Sequence, residues 1–285
     1  MFFASRTALS RLMFINIVVF LLMIVVRWGI SSISFLFNLD LNFARWAATY
    51  LDFPADYTSL LFHPWTMVTS LFIHDGFWHI FFNMFILYVA GRMFLQYLSQ
   101  KQLVATYFIG GIVGNLFFLG AYNLFPVFAP TVSNATCVGA SGAIMAILLA
   151  VTVYRPNHRL NLILVGQTTL KIVAICFVAI DLLSITGGNA GGHFAHLGGA
   201  LYGTVAGFFY LKGNPFRKVV FEKNSRKGYR APGGNTIDRP LSDTDYNARK
   251  RQDEARVDKI LDKISKSGYD ALTKEERDFL YNYKR

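Results

Sequence analysis

Six apolar runs in 285 residues, with basic residues at alternate connections, leave this chain few ways to fold. The runs are Leu12–Val26, Trp78–Leu95, Leu103–Tyr122, Gly139–Tyr154, Leu170–Ile185 and His193–Leu211. A segment surrounded by hydrocarbon must satisfy its own backbone hydrogen bonds, so such runs fold as helices. Several are near the lower end of the roughly 17–25 residues of a spanning helix. Arg6 and Arg11 precede the first run, Arg92 and Lys101 mark the second connection, and Arg155, Arg159 and Lys171 the fourth. The connections after the third and fifth runs contain neither Lys nor Arg. Cytoplasmic loops carry the excess of Lys and Arg, so the pattern predicts six membrane helices with both termini cytoplasmic. Residues 31–77 hold two prolines, many aromatics and more Asp than Arg, and are expected to lie in or on the interface. Arg27-Trp28 reads as an interfacial anchor closing the first helix, because no small-x-small cleavage site follows it.

Charge separates two parts of the chain. The net +11 divides into +4 for residues 1–211 and +7 for residues 212–285, although the first part is almost three times as long. A basic tail beside a membrane fits anionic headgroups and the cytoplasmic side, so the charge does not call for nucleic acid. Cys137 and Cys176 form no disulfide framework and match no metal spacing, and no cofactor or metal is expected.

The fourth run opens with Gly139-Ala140-Ser141-Gly142. Small residues then recur every fourth position, at Gly142, Ala146 and Ala150, and again in the sixth run at Gly199, Gly203 and Gly207. Such stripes form a groove on one helix face and let two membrane helices approach closely. Ser141 lies one residue before its stripe and His196 three residues before the other, so facing parallel stripes bring a hydroxyl beside an imidazole. His79 and Asn83, four residues apart on one face of the second helix, lie near the start of that helix. With the predicted topology all four side chains share one leaflet, roughly 5–10 Å from the helix starts at about 1.5 Å per residue. Intramembrane histidines and asparagines often do no more than bond a neighbouring helix. Four at a common depth point instead to a site.

His74-x-x-x-x-His79-x-x-x-Asn83, Gly139-x-Ser141-Gly142 and Ala195-His196-x-x-Gly199-x-x-x-Gly203 together resemble the signature of the rhomboid intramembrane serine proteases. The resemblance covers about residues 10–211. It implies a rhomboid-like bundle of six transmembrane helices, all-α in class, in which Ser141 is the nucleophile and His196 the general base. His79, Asn83 and the Ser141 backbone N–H would bind the oxyanion, His74 would serve the embedded loop, and Gly139, Gly142, Gly199 and Gly203 would be structural. It further implies that segment 31–77 is embedded in the membrane and that the fifth helix is a lateral gate for substrate. Serine needs an adjacent base, and packing can orient the imidazole without a third acid. Asp181 is accordingly expected to make an interfacial hydrogen bond rather than to complete a triad, and His193 to cap or pack the sixth helix. The sequence departs from the family where Thr66 follows Trp65, where Phe94 stands for a glutamate, and where Met145 stands for an aromatic near the histidine.

The implied partners are transmembrane protein substrates and the lipid bilayer, and the implied location is a bacterial cytoplasmic membrane with the site open to the outer side. A rhomboid-like binder that does not cut is the alternative. A six-helix transporter lacks support, because no inverted repeat or paired broken helices are visible. The chain is thus expected to comprise a protease domain over 1–211, a basic linker over 212–248 and a short helical tail over 249–285. In the tail, Val257, Ile260, Leu261 and Ile264 carry helical spacing within about 248–266, Ser267-Gly268 stops that helix, and Thr273-x-x-Glu276 is a capping box for a second.

Overall fold

A computed structural model describes residues 7–162 and 166–212, and in the tail 256–260, 262–264, 268 and 271–283. The chain divides into two compact units, Met1–Asn224 and Ser225–Arg285.

The first unit is mostly helical. Helix α1 (Ala8–Phe37) is followed by the short helices α2 (Phe43–Tyr50), α3 (Tyr57–Phe62) and α4 (Thr66–Thr69), with a 3-10 turn over Ser70–Phe72. The long helices α5 (Phe77–Tyr97) and α6 (Gln100–Leu124), the helix α7 (Ser141–Tyr154), and then α8 (Leu170–Ser184) and α9 (Ala190–Leu211) complete the bundle. Strand β1 (Phe53–Pro54) pairs antiparallel with β2 (Thr136–Cys137), setting Phe53 opposite Cys137. Strands β3 (Arg159–Leu162) and β4 (Gly166–Thr169) form an antiparallel hairpin between α7 and α8, where the sequence suggested only a basic connection.

Helices α1, α5 and α6 are long and apolar enough to cross a membrane. Helix α7, at 14 residues, is shorter but its apolar side chains are almost all buried. Helix α1 is the largest departure from expectation: it runs eleven residues beyond Val26, through Arg27, to a left-handed cap at Asn38. Ile33, Phe35, Leu36 and Phe37 keep the segment apolar, and Arg27 lies within the helix, lining a cavity with Asp52 and Asp75. The start of segment 31–77 therefore belongs to α1.

Helices α6, α7 and α9 pack through glycine. A Cβ at Gly199 would overlap the Gly142 carbonyl, one at Gly203 the Ala146 carbonyl, and one at Gly207 would lie 2.7 Å from the Ala150 carbonyl. The two stripes thus face each other residue for residue. On the other side, Gly114 of α6 approaches the Ala195 carbonyl and Gly111 approaches Ala143. Outside this seam, Asn16 fixes α1 by donating through Nδ2 to the Tyr107 hydroxyl at 3.0 Å. That hydroxyl in turn donates to the Leu71 carbonyl at 3.3 Å.

In the second unit, residues 256–260 and 262–264 are helical, and α10 spans Lys274–Tyr283. The capping box forms at its start: Glu276 N–H donates to Thr273 Oγ1 at 3.3 Å and Thr273 N–H to Glu276 Oε2 at 2.8 Å. Lys263 Nζ reaches Glu276 Oε2 at 2.8 Å, and Arg256 lies over the Phe279 ring. Leu261, Ser267 and the expected linker beyond Lys212 lie outside the described residues.

Candidate active site

Ser141 is the first residue of α7, placed where the positive end of the helix dipole falls. The turn before it depends on Gly139, whose φ of 112° a side chain rarely adopts. Space demands glycine as well: a Cβ there would lie 2.7 Å from His79 Nε2 and 3.8 Å from Ser141 Oγ. The His79 ring therefore packs on the backbone that presents the serine. The turn is held from behind, because Gly139 N–H donates to the Ser70 carbonyl at 2.9 Å. Ser70 Oγ accepts from Asn115 Nδ2 of α6 at 3.0 Å, and the same amide donates to the Met67 carbonyl at 3.3 Å. Asn115 and Ser70 drew no attention in the sequence, where a lone polar residue in an apolar run has no visible partner.

His196 reaches the same place through the glycine seam. The Ala195 carbonyl, one residue before it, abuts both Gly142 and Gly114, and a Cβ at Gly142 would lie 3.2 Å from that oxygen. Ser141 and His196 are thus neighbours of two backbones in contact. Ser141 Oγ and His196 are not hydrogen-bonded, and among the described residues the one side-chain hydrogen bond of His196 runs from Nδ1. Hydrogen bonds of this kind are often long before substrate binds.

That Nδ1 bond corrects an expectation. Asp181, assigned above to an interfacial role, accepts from His196 Nδ1 at 2.8 Å. His193, expected only to cap or pack, donates from its own Nδ1 to the same oxygen at 2.8 Å. Asp181 is buried on α8, and its Oδ2 has no hydrogen-bond partner among the described residues. An ionised carboxylate only accepts, so in the neutral ring Nδ1 of His196 carries the hydrogen and Nε2 the lone pair. That is the tautomer a general base beside serine requires. The signal available in the sequence was an acid in an apolar run, which is rarely idle.

The opposite tautomer is set at His79. Asp75 N–H donates to His79 Nδ1 at 3.3 Å, so in the neutral ring the hydrogen is on Nε2, the atom facing Gly139. Asn83 Nδ2 donates to the His79 carbonyl at 2.8 Å, which fixes the amide while leaving it a second N–H. His74 packs edge-on against the His79 ring at 5.0 Å and bonds the Phe72 carbonyl at 3.2 Å. Its Nε2 is buried without a hydrogen-bond partner among the described residues. A cavity of about 430 Å³, lined by Arg27, Asp52 and Asp75 among others, reaches His74.

The three departures from the family pattern are absorbed locally. Thr66 is buried and donates to the His63 carbonyl at 2.7 Å. Phe94 is fully buried, edge-on to Tyr210, whose hydroxyl pairs with Thr106 Oγ1 at 2.8 Å. Met145 is buried in the apolar core.

Comparison with known proteins agrees with this architecture. The presenilin-associated rhomboid-like protein, mitochondrial, of Homo sapiens is 32% identical over 141 residues, which cover 48% of this chain and 35% of that protein. The RHOMBOID-like protein 12, mitochondrial, of Arabidopsis thaliana is 30% identical over 150 residues, covering 50% and 45%. The Rhomboid-like protease 1 of Toxoplasma gondii is 26% identical over 196 residues, covering 66% and 62%. The chain spans less than two thirds of the length of each of these relatives. Residues 242–285 match a family of unknown function, DUF6576. Residues 62–213, more than half of the chain, match the rhomboid domain. The chain is a multi-pass membrane protein of the rhomboid family.

Proposed function

We propose that this chain is an intramembrane serine endopeptidase that cleaves transmembrane segments of other membrane proteins. The observation that carries the reading is the buried Asp181–His196 bond, which leaves His196 Nε2 as acceptor one backbone contact away from Ser141. His196 Nε2 takes the Ser141 proton as Oγ attacks the scissile carbonyl, and later returns it to the leaving amine. Asp181 holds the imidazole tautomer and balances the imidazolium. His79 Nε2–H, the Ser141 backbone N–H and the Asn83 amide receive the negative oxygen, each worth roughly 2.7–4 kcal/mol where the donor is preorganised. Water then hydrolyses the acyl-enzyme, supplied from the outer aqueous side.

The favoured substrates are single-span proteins with small residues near the outer end of a helix that unwinds easily, since a peptide bond must leave its helix to reach Ser141. The alternation of basic connections supports six membrane helices with both termini cytoplasmic, and a bacterial cytoplasmic membrane is the location in this reading. The domain scheme is a protease unit over 1–211 with the linker and tail after it. The non-cutting binder remains a second reading because Ser141 and His196 are not hydrogen-bonded.

The test is cleavage of a fluorogenic transmembrane peptide by the detergent-purified protein beside Ser141→Ala and His196→Ala. Wild-type cleavage lost in both folded variants is the expected result. Activity that survives Ser141→Ala overturns the mechanism, and a wild type that retains but never cuts its targets favours the binder.

A further inference from the structure

Asp181 is placed so that one oxygen is shared and the other is idle. Oδ1 takes two imidazole hydrogens at 2.8 Å each, and the buried Oδ2 has no hydrogen-bond partner among the described residues. Burying a polar atom unsatisfied is costly, and a buried carboxylate in such a position is suited to a stronger acceptor of its lone pairs. The two imidazoles come from successive turns of α9, at i and i+3, so their ligand atoms project from one face of a single rigid element. One ligand atom from each of Asp181, His193 and His196 lies within 4.8 Å of the others. Four-coordinate zinc holds N and O donors at about 2.0–2.2 Å, which sets neighbouring donor atoms about 3.3 Å apart. The observed 2.8 Å separations need widen only slightly. Two imidazoles and one carboxylate suit zinc far better than magnesium or calcium. The histidine side chains are 19% and 25% exposed against 5% for the aspartate, so an ion can enter from the imidazole side.

The geometry points to a zinc-type metal site formed by Asp181, His193 and His196, whose occupation switches off the general base. Metal binding replaces the hydrogen on each Nδ1. A neutral imidazole coordinated through Nδ1 carries its one hydrogen on Nε2, taken up through water as the other leaves. In that form His196 has no lone pair left for the Ser141 proton. The ion also consumes the Asp181 oxygen that orients the ring. The site follows from the side chains alone, whereas the switch rests on the serine-protease reading.

Cobalt(II) is the probe, because four-coordinate cobalt absorbs strongly in the visible and reports its own geometry. The full chain, purified without a polyhistidine tag and carrying Cys137→Ala and Cys176→Ala, is titrated in detergent. The same titration is made on Ser141→Ala, His193→Gln and Asp181→Asn. Saturable binding at one ion per chain is expected in the parent and in Ser141→Ala, displaced by zinc. His193→Gln and Asp181→Asn are expected to bind at least roughly tenfold more weakly. Absence of saturable binding in a folded parent overturns the site, as does binding unchanged in His193→Gln. Peptide cleavage by the parent, with zinc and with a chelator, tests the switch: zinc should abolish it and the chelator should restore it. Equal cleavage in both conditions overturns the switch. If the chelated parent never cuts while Ser141→Ala still binds cobalt, the protease reading falls and the metal site stands.

Discussion

Helices α7 and α8 are similar in length and opposite in how they are held. Ten of the 14 residues of α7 are buried, and its carbonyl oxygens sit in the glycine stripe of α9. Of the 15 residues of α8 only Leu170, Ala174 and Asp181 are buried, and Leu183 is 82% exposed. In water that exposure would be costly, but beside lipid it is nearly free, because hydrocarbon replaces hydrocarbon. The difference teaches how labour is divided. Backbone contact fixes Ser141 and His196 to each other, while Asp181 arrives on a helix whose attachment rests on a handful of side chains. The rigid pair sets geometry, and the loosely held partner sets the tautomer of the neutral His196 ring.

The sharpest way to break the rigid half is Gly199→Val. Its Cβ would overlap the Gly142 carbonyl, an atom of backbone that cannot swing aside. Loss of folded protein is expected, at a cost of about 3 kcal/mol or more, read as a collapse of thermal stability in detergent. A variant of normal stability would show that the seam is not what holds Ser141. The contribution of α8 is isolated by Asp181→Asn, which preserves shape and removes the charge. Cleavage should fall roughly 10²–10⁴-fold with the unfolding temperature nearly unchanged. A fall in stability without one in kcat would return Asp181 to a structural role.

Asn83→Ala removes a donor from the fixed side of the site, and kcat should fall by roughly 10²-fold with little change in KM. Among the outer elements, Asp52 offers a test by pH. Burial first, then the neighbouring Asp75, pushes its carboxyl up to about 6 from 3.8, against a weaker opposing bond from Thr136. The fold therefore favours the protonated form: no penalty exists below the unfolded value, and stability falls as pH rises from about 4 to 6. Asp52→Asn should flatten that slope and stabilise the chain at pH 7 by about 2–3 kcal/mol, measured by thermal unfolding across pH. The smallest effect belongs to Leu183→Ala on the exposed face of α8, within about 0.5 kcal/mol. A large loss there would mean that α8 is packed against something other than lipid.

What could be read from the sequence was what local spacing encodes. The stripes of Gly142-Ala146-Ala150 and Gly199-Gly203-Gly207 announce a close helix pair because every fourth residue faces one way. His79 and Asn83 follow the same rule, and the Asn83 amide indeed reaches back to the His79 carbonyl. Asp181 and His196 are fifteen residues apart on different helices, and nothing periodic joins them; only the packing of α8 against α9 does. Asn115 and Ser70 are farther apart still, and their link to Gly139 runs through a backbone carbonyl that no side-chain pattern reports. The length of α1 is hidden for a related reason. Arg27 reads as a terminus when its neighbours are unknown, and as an interior residue once Asp52 and Asp75 share its cavity.

The 14 residues of α7 have a consequence for the surrounding lipid. At about 1.5 Å per residue the helix is roughly 21 Å long, against a hydrocarbon thickness of about 30 Å. Neighbouring helices enclose most of α7, so lipid meets the short span at the 15-residue α8, where the bilayer must thin or deform at an elastic cost that grows with acyl-chain length. Bilayer thickness thereby becomes a variable acting on the depth of Asp181, and lipids of different chain length would tune one and the same constellation of side chains.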